Sequence, residues 1–465
     1  MDERPAFNMR YIWLTTLVSA MGGLLFGYDW VVIGGAKPFY EKFFNLTTPS
    51  QVGWAMSSAL VGCLVGSLVS GGLSDRFGRK KLLILAGFLF TISAVWTGLA
   101  PDFSVFVVFR LLGGVAIGLA SNLSPMYIAE ISPASMRGKF VSVNQLTIVI
   151  GILAAQLVNW LIAKPVPAGA TAADILASWN GQAGWRWMFG AETVPAMLFF
   201  ILMFMVPESP RWLVKSGRAE AATKILSRVG GPEFAGKALG EIRESLTGSE
   251  IGRVRFLTLL EPGMARVLFI GVVLAVYQQW CGINVIFYYA QEIFTAAGYG
   301  VSDVLFNIVV TGTVNLIFTI VAIRLVDRLG RRPLMMAGSA GLAVVFGLIG
   351  ASYAVHSRGV HLLALVVVAM ALYALSLAPV TWVLLSEIFP NRIRGAAMSV
   401  STFSLWSACF VLTYTFPLLN KELGPAGTFW IYAGISVFGY IFIRSRVRET
   451  KGKTLEEIER EFVGC

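Results

Sequence analysis

The chain has 465 residues, 56% of them hydrophobic and only 14% charged, whereas an ordinary soluble domain is roughly 45–50% apolar even with glycine counted and about 25% charged. Apolar stretches recur along the whole length instead of gathering in one core, which excludes disorder, a coiled coil and a nucleic-acid-binding fold. The formal charge of +11, from 37 Lys and Arg against 26 Asp and Glu, has to be read by the side of a membrane that carries it.

The first ten residues are polar, and the apolar run after them is too long for a signal-peptide core and has no small-residue cleavage site, so it reads as a retained first span. A helix crossing about 30 Å of hydrocarbon at 1.5 Å per residue needs about 20 apolar residues. Segments of that kind fall near 11–34, 51–73, 82–99, 105–130, 140–162, 187–206, 267–296, 304–323, 334–355, 362–386, 396–419 and 429–443. The fold class predicted is therefore all-α, with twelve transmembrane helices. The polar stretch 207–263 separates six helices (1–206) from six more (264–447), with a tail over 448–465; within the linker 218–226 and 235–246 read as short amphipathic helices. Segments placed on the side of the termini hold 30 Lys or Arg and the opposite loops hold six, which predicts both termini in the cytoplasm of a cell (inner) membrane protein.

Three cysteines (Cys63, Cys281, Cys409) lie in apolar stretches and the fourth is Cys465, with no disulfide or metal-ligand spacing. GxxxxGK[ST], HExxH and GxSxG are absent from the sequence, so neither ATP-driven pumping nor hydrolysis is expected, and no cofactor or metal is implied.

Asp75-Arg76-Phe77-Gly78-Arg79-Lys80 returns 252 residues later as Asp327-Arg328-Leu329-Gly330-Arg331-Arg332. Glu130 and Arg137 of AEISPASMRG return as Glu387 and Arg394 of SEIFPNRIRG, both 257 residues on. Facing the cytoplasm explains basic loops but not matched acids and glycines, so the chain reads as a six-plus-six duplication, which places a ligand site between the halves near the bilayer midplane.

Asp29, Arg110 and Glu192 fall within spans, where an unpaired charge costs at least a few kcal/mol. Two acids and one base suit a network in which Arg110 holds one carboxylate ionised while the other takes a proton; a static pair locking helices 1 and 4 is the plainer alternative. Gln278, Gln279 and Asn284 in helix 7, Asn315 in helix 8 and Gln145 in helix 5 offer uncharged donors and acceptors, as a neutral polyol requires. Gln278 and Gln279 are expected on different helix faces, and Gly282 allows a break beside them. Helix bridging by the amides and interfacial belts of tryptophan are the competing uses.

GGLLFGYD (22–29), DRFGRK (75–80), PESPRWL (207–213), QQWCGIN (278–284), DRLGRR (327–332) and ETKGKTLEE (449–457) occur in this order. On these motifs the chain resembles a sugar porter of the major facilitator superfamily along nearly its whole length. Its pattern is closest to bacterial proton-linked monosaccharide symporters of the D-xylose type and is similar to the animal glucose facilitators. The resemblance implies two pseudo-symmetric six-helix bundles with a cytoplasmic helical linker, and a proton site at Asp29, where the facilitators carry Asn. It also implies a sugar site formed by the five amides with Phe26, Tyr288, Trp382 and Trp406. Asp75, Arg79, Glu130, Arg137, Glu208 and Arg211, mirrored by Asp327, Arg331, Glu387, Arg394 and Glu449, are expected to form ion pairs that close the cytoplasmic side, although topology signalling and helix capping also account for such residues.

Four positions depart from the family pattern. Leu405 stands where Gln or Asn is expected, Ala378 where Gly precedes Pro, Trp30 where a small polar residue follows the acid, and Arg448 where Pro precedes ETKG. A sugar contact is expected to be missing at Leu405, and the clasp at Glu449 is expected to be looser than that at Glu208. The expected protein is not an enzyme but a secondary carrier importing a monosaccharide with a proton by alternating access; its partners are sugar, proton and lipid bilayer, with neither nucleic acid nor an obligate protein. An uncoupled facilitator is the nearest rival and a transporter-like sensor the next.

Overall fold

The computed structural model describes residues 7–167, 169–248, 259, 261–357, 359–390, 393–453 and 455–463; Cys465 and the side chain of Asp327 lie outside what is described. Among the described residues eleven helices are long and apolar enough to cross a membrane, and the last, of 53 residues, is two spans in one. In the first half α1 is Met9–Phe43, α2 Pro49–Phe77, α3 Arg79–Leu99, α4 Phe103–Ile131 and α5 Arg137–Ile162. The sixth span, α6, covers Asn180–Met205 and opens with a π turn at Asn180–Gly184. In the second half α7 is three pieces, Pro262–Trp280, Ile283–Tyr288 and Ala290–Ala296; α8 is Val301–Leu329 and α9 Arg331–Ala354. The tenth, α10, breaks at Ser376 between Val360–Leu375 and Leu377–Ile388. Arg394–Arg446 is one helical run folded at Gly424 (φ 67°), whose arms are α11 and α12. With twelve spans, α1 begins and α12 ends on one face, here termed the linker face.

Several boundaries differ from the sequence reading. Residues 35–43, expected in a loop, continue α1, because Lys37 is paired with Glu41 one turn on at 2.7 Å and with Glu292, so its charge does not need water. Residues 420–428, also expected as a loop, are helical apart from Gly424. The linker forms Pro210–Lys215 and Ala219–Gly248, the latter kinked at Gly230 and Gly231, and the tail carries an unforeseen helix, Leu455–Val463.

Within the first half α2 packs against α4 and α1 against α5; between the halves α2 meets α11 and α5 meets α8. Glycine sets the first of these contacts. A Cβ on Gly62 would lie 2.1 Å from the Leu111 carbonyl oxygen and one on Gly66 2.3 Å from that of Val115. In return, a Cβ on Gly114 would lie 1.8 Å from the Ala59 oxygen and one on Gly118 2.5 Å from that of Cys63. Two facing GxxxG pairs thus let the backbones touch, the form of packing open to helices whose outer surface is as apolar as lipid. Gly114→Ala forces α2 and α4 apart; its expected destabilisation is about 1–3 kcal/mol, read as a lower thermal midpoint in detergent, while Ala at Gly71, whose Cβ would meet nothing, leaves the midpoint unchanged. Outside this core, Leu161, Val194, Met205 and other large apolar side chains are exposed, forming the surface for the bilayer.

Candidate functional site

The three charges expected within the membrane meet. The guanidinium of Arg110 on α4 donates through Nη1 to Asp29 Oδ1 on α1 and through Nη2 to the Asp29 carbonyl at 3.3 Å. Its other side lies 5.5 Å from the ring centre of Phe189, and Glu192, at the break in α6, interacts electrostatically with both Asp29 and Arg110. All three are about 2% exposed. Asp29 Oδ2 and Glu192 Oε1 have no hydrogen-bond partner. A buried set of two carboxyls and one guanidinium is neutral only when it holds one proton, and the two free oxygens are where that proton can sit.

The amides of α7 form a relay. Gly282 adopts φ 95° and divides the helix, which ends at Trp280 and restarts at Ile283. Gln278 Nε2 donates to the Tyr373 hydroxyl at 2.8 Å, Gln279 Nε2 to Gln278 Oε1 at 2.5 Å and Asn284 Nδ2 to Gln279 Oε1 at 2.5 Å. Gln278 and Gln279, expected on different helix faces, nevertheless bond each other: consecutive positions diverge by 100° on a helix, and two long amide side chains reach back across that angle. Asn284 Oδ1 ends the relay without a partner.

Beside it stands an aromatic wall drawn from both halves. Phe26 lies 5.7 Å from Trp406 and 5.6 Å from Trp30, and Trp30 lies 5.9 Å from Phe287 and 6.1 Å from Tyr288. The indole nitrogens of Trp30 and Trp406 are buried and unpartnered. Trp30, unexplained in the sequence, is therefore the ring that joins the first-half aromatics to those of α7. Asn315 is buried on α8, while Gln145 on α5 and Trp382 on α10 are half-buried; Leu405 is buried and Ala378 half-buried. Among the described hydrogen bonds and ring contacts, none joins Gln145, Asn315 or Trp382 to the relay.

On the linker face the duplicated motifs form two matching clasps. In the first, Arg79 Nη2 donates to Glu130 Oε1 at 3.0 Å with its Nε 3.0 Å from Oε2, Ser209 Oγ donates to the same carboxylate at 2.5 Å, and Glu208 accepts the main-chain N–H groups of Arg79, Lys80 and Ser209 at 2.8–3.1 Å. In the second, Arg331 pairs with Glu387 at 2.9 Å, Thr450 Oγ1 donates to Glu387 at 2.6 Å, and Glu449 accepts from Arg331, Arg332, Thr450 and Lys451 at 2.9–3.0 Å. Gly78 (φ 95°) and Gly330 (φ 94°) take the left-handed turn that brings these N–H groups to the carboxylates, and a Cβ on either would collide with the Glu208 or Glu449 side chain.

The gate charges pair within their own half: Asp75 with Arg79 and Lys215, Arg79 with Glu130, Arg331 with Glu387. Arg137 and Arg394 donate to the Ala129 and Phe389 carbonyls of their own half, and Arg211 is exposed. Among the described side chains, Asp75, Glu130 and Glu387 find their ion-pair partners within their own half, and in this conformation no described pair of these gate charges bridges the halves. The Glu449 clasp forms with Arg448 in place of Pro: two of its donors, Arg331 and Arg332, come from the turn at Gly330 and two, Thr450 and Lys451, from the tail just after it. Ser209 and Thr450 were missed; their only sequence signal is a hydroxyl next to each clasping Glu in PES and RET.

Burial alone would raise the Glu449 carboxyl, but the N–H groups of Lys451, Arg331, Arg332 and Thr450 outweigh it and hold the group below its ordinary value. A depressed native value means that the clasp contributes fully above the ordinary carboxylate range and is lost as pH falls through the native value. Hydrogen-exchange protection of the Arg331 and Arg332 amides is therefore expected to be flat above about pH 5 and to fall below it. In Glu449→Gln it is expected to be low at every pH.

This geometry, two six-helix bundles with mirrored clasps around a central polar and aromatic site, is that of a major facilitator sugar porter. Residues 15–462 match the family described as sugar (and other) transporter, and the chain belongs to that family. It is 41% identical over 484 residues to the D-xylose-proton symporter of Escherichia coli K12, covering 97% of this chain and 96% of that one. It is 38% identical over 457 residues to the arabinose-proton symporter of Bacillus subtilis 168, covering 98% and 96%. The inward open conformation of the xylose transporter XylE from E. coli superposes with a TM-score of 0.84 at 39% identity, over 97% of this chain and 100% of that one.

Proposed function

We propose that this protein carries a monosaccharide together with a proton by alternating access, importing the sugar. The observation that carries the reading is the joining of two sites on α1. Asp29, salt-bridged to Arg110, is followed in sequence by Trp30, whose ring packs on Phe26, Phe287 and Tyr288 at 5.6–6.1 Å. Sugar and proton sites then share one helix, so occupation of one is felt at the other. Buried unpartnered groups at Asn284 Oδ1, Trp30 Nε1 and Trp406 Nε1 supply one acceptor and two donors that sugar hydroxyls can pair with. The relatives named above are proton symporters of pentoses, which supports a sugar of pentose or hexose size.

The linker face is the cytoplasmic one on this reading, because its segments hold 30 Lys or Arg against six opposite. Described contacts between the halves gather toward the other face. Gly34 lies against the Phe287 carbonyl and Gly53 against that of Tyr414; Ser50 bonds the Tyr414 hydroxyl at 2.8 Å, and the Val166 N–H donates to Ser302 Oγ at 3.0 Å. The conformation thus fits a carrier closed outside.

The test is uptake of one labelled sugar into proteoliposomes against a panel of unlabelled pentoses and hexoses, with and without an imposed pH gradient. Acceleration and accumulation driven by the gradient, with competition by a subset of sugars, are expected. Uptake that equilibrates and ignores the gradient would establish an uncoupled facilitator, and no uptake of any sugar would overturn the reading.

A further inference from the structure

Three charged side chains near the face opposite the linker take no part in the sites above. Lys37 on α1 is 2% exposed, although lysine is rarely buried so fully without a partner. Its ammonium donates to Glu292 of α7 and lies 2.7 Å from Glu41 on its own helix. It also lies 5.7 Å from the ring centre of Tyr289, whose hydroxyl donates to the Thr413 carbonyl of α11 at 2.6 Å. Below it the two backbones touch, a Cβ on Gly34 falling 2.5 Å from the Phe287 oxygen. Above it a cleft of about 250 Å³, lined by Lys37, Glu41, Glu292, Thr47, Thr48 and Lys421 among others, leads to the surface.

We propose that Lys37 and Glu292 form an ionic latch that joins the two halves across their outer seam and biases the carrier toward the conformation closed on that face. The inference rests on the alternating-access reading. Among the described ion pairs this is the one that crosses between halves; the others lie within one. A buried pair is near break-even against two hydrated charges, whereas removing one partner leaves a stranded charge, which is heavily penalised. Separation of the halves hydrates both groups through the cleft, so the latch can open, and closure without Lys37 would bring two acids together without the ammonium that pairs both, leaving only Lys421 at the cleft lining. Lys37 is thus a positioning residue that sets the balance of states and does not touch sugar.

Spin labels at Ala173→Cys and Leu423→Cys, both exposed and on different halves of that face, report its opening by pulsed dipolar spectroscopy in a background lacking the four native cysteines. The parent is expected to show a dominant short distance without sugar or pH gradient. Lys37→Met is expected to raise the ratio of long-distance to short-distance populations about tenfold, the effect of about 1.4 kcal/mol on a two-state equilibrium. The exchanged pair Lys37→Glu with Glu292→Lys is expected to restore the short distance. Should Lys37→Met not fold, Lys37→Met with Glu292→Gln replaces it and is expected to open likewise. Distances unchanged by either neutral variant, or left long by the exchanged pair, would overturn the latch. Because the readout needs no transport, an altered distance with no sugar uptake would instead count against the proposed function alone.

Discussion

In proteoliposomes under an imposed pH gradient, the Asp29→Asn variant exchanges sugar but does not concentrate it. A one-unit gradient coupled to one proton supports about tenfold accumulation, equivalent to about 1.4 kcal/mol, and the expected ratio for the variant is about one. Asn matches Asp in shape, and Arg110 Nη2 keeps its bond to the main-chain oxygen of residue 29 at 3.3 Å, so the packing of α1 on α4 survives. What disappears is the carboxyl able to hold the shared proton; Glu192 remains opposite Arg110 as a single acid facing a single base, a neutral set with no proton to exchange. A static pair that only locked helices 1 and 4 would give the reverse, poorer folding with the gradient response intact in the surviving protein. Equal accumulation by parent and variant would move the proton site elsewhere.

The second large effect is at Gln279, the middle of the amide relay. Gln279→Leu keeps the side-chain volume but takes the Gln279 donor from buried Gln278 Oε1 and the shortest of three acceptors from buried Asn284 Nδ2. Asn284 is then held only by the 3.3 Å bond to the main-chain oxygen of residue 279 and the 3.9 Å contact with Cys409 Sγ, and the direction of its unpartnered Oδ1 is less firmly set. A lost hydrogen bond that leaves buried groups unsatisfied is worth about 1–3 kcal/mol, so the half-saturating sugar concentration is expected to rise roughly 10–100-fold while the maximal exchange rate stays within a few-fold. Initial-rate exchange over a range of sugar concentrations separates the two. Unchanged saturation with a lowered melting temperature would make the relay a bridge between helices 7 and 10.

The twelve spans are legible in the sequence because each needs only one local property, about 20 apolar residues. The repeat is legible because paired acids and glycines recur at nearly one offset. Asp29, Arg110 and Glu192 could be grouped because a lone charge in a span demands company. The ends of helices were less legible. The run Lys37-Pro38-Phe39-Tyr40-Glu41-Lys42 has the composition of a loop, and the partner that lets its lysine be buried in a helix, beside Glu41 one turn on, is Glu292, 255 residues away. The break at Ser376 and the unbroken run through residues 420–423 likewise depend on tertiary partners. Among the charges on the linker face, residue type and spacing could name the participants, but not whether they pair within a half or between halves, since that depends on which conformation the carrier occupies.

The mirrored clasps change what counts as one copy of the duplicated unit. Glu208 and Ser209 follow the sixth span, and Glu449 and Thr450 follow the twelfth, each pair folded back onto the turn between the second and third helices of its own half. Each repeat unit thus extends past six helices to include the strap that fastens its end to its beginning. After the first strap the chain continues into the linker helix Ala219–Gly248, and after the second into the tail helix Leu455–Val463. A chain cut before Glu449 is expected to leave one of the two repeats unfastened.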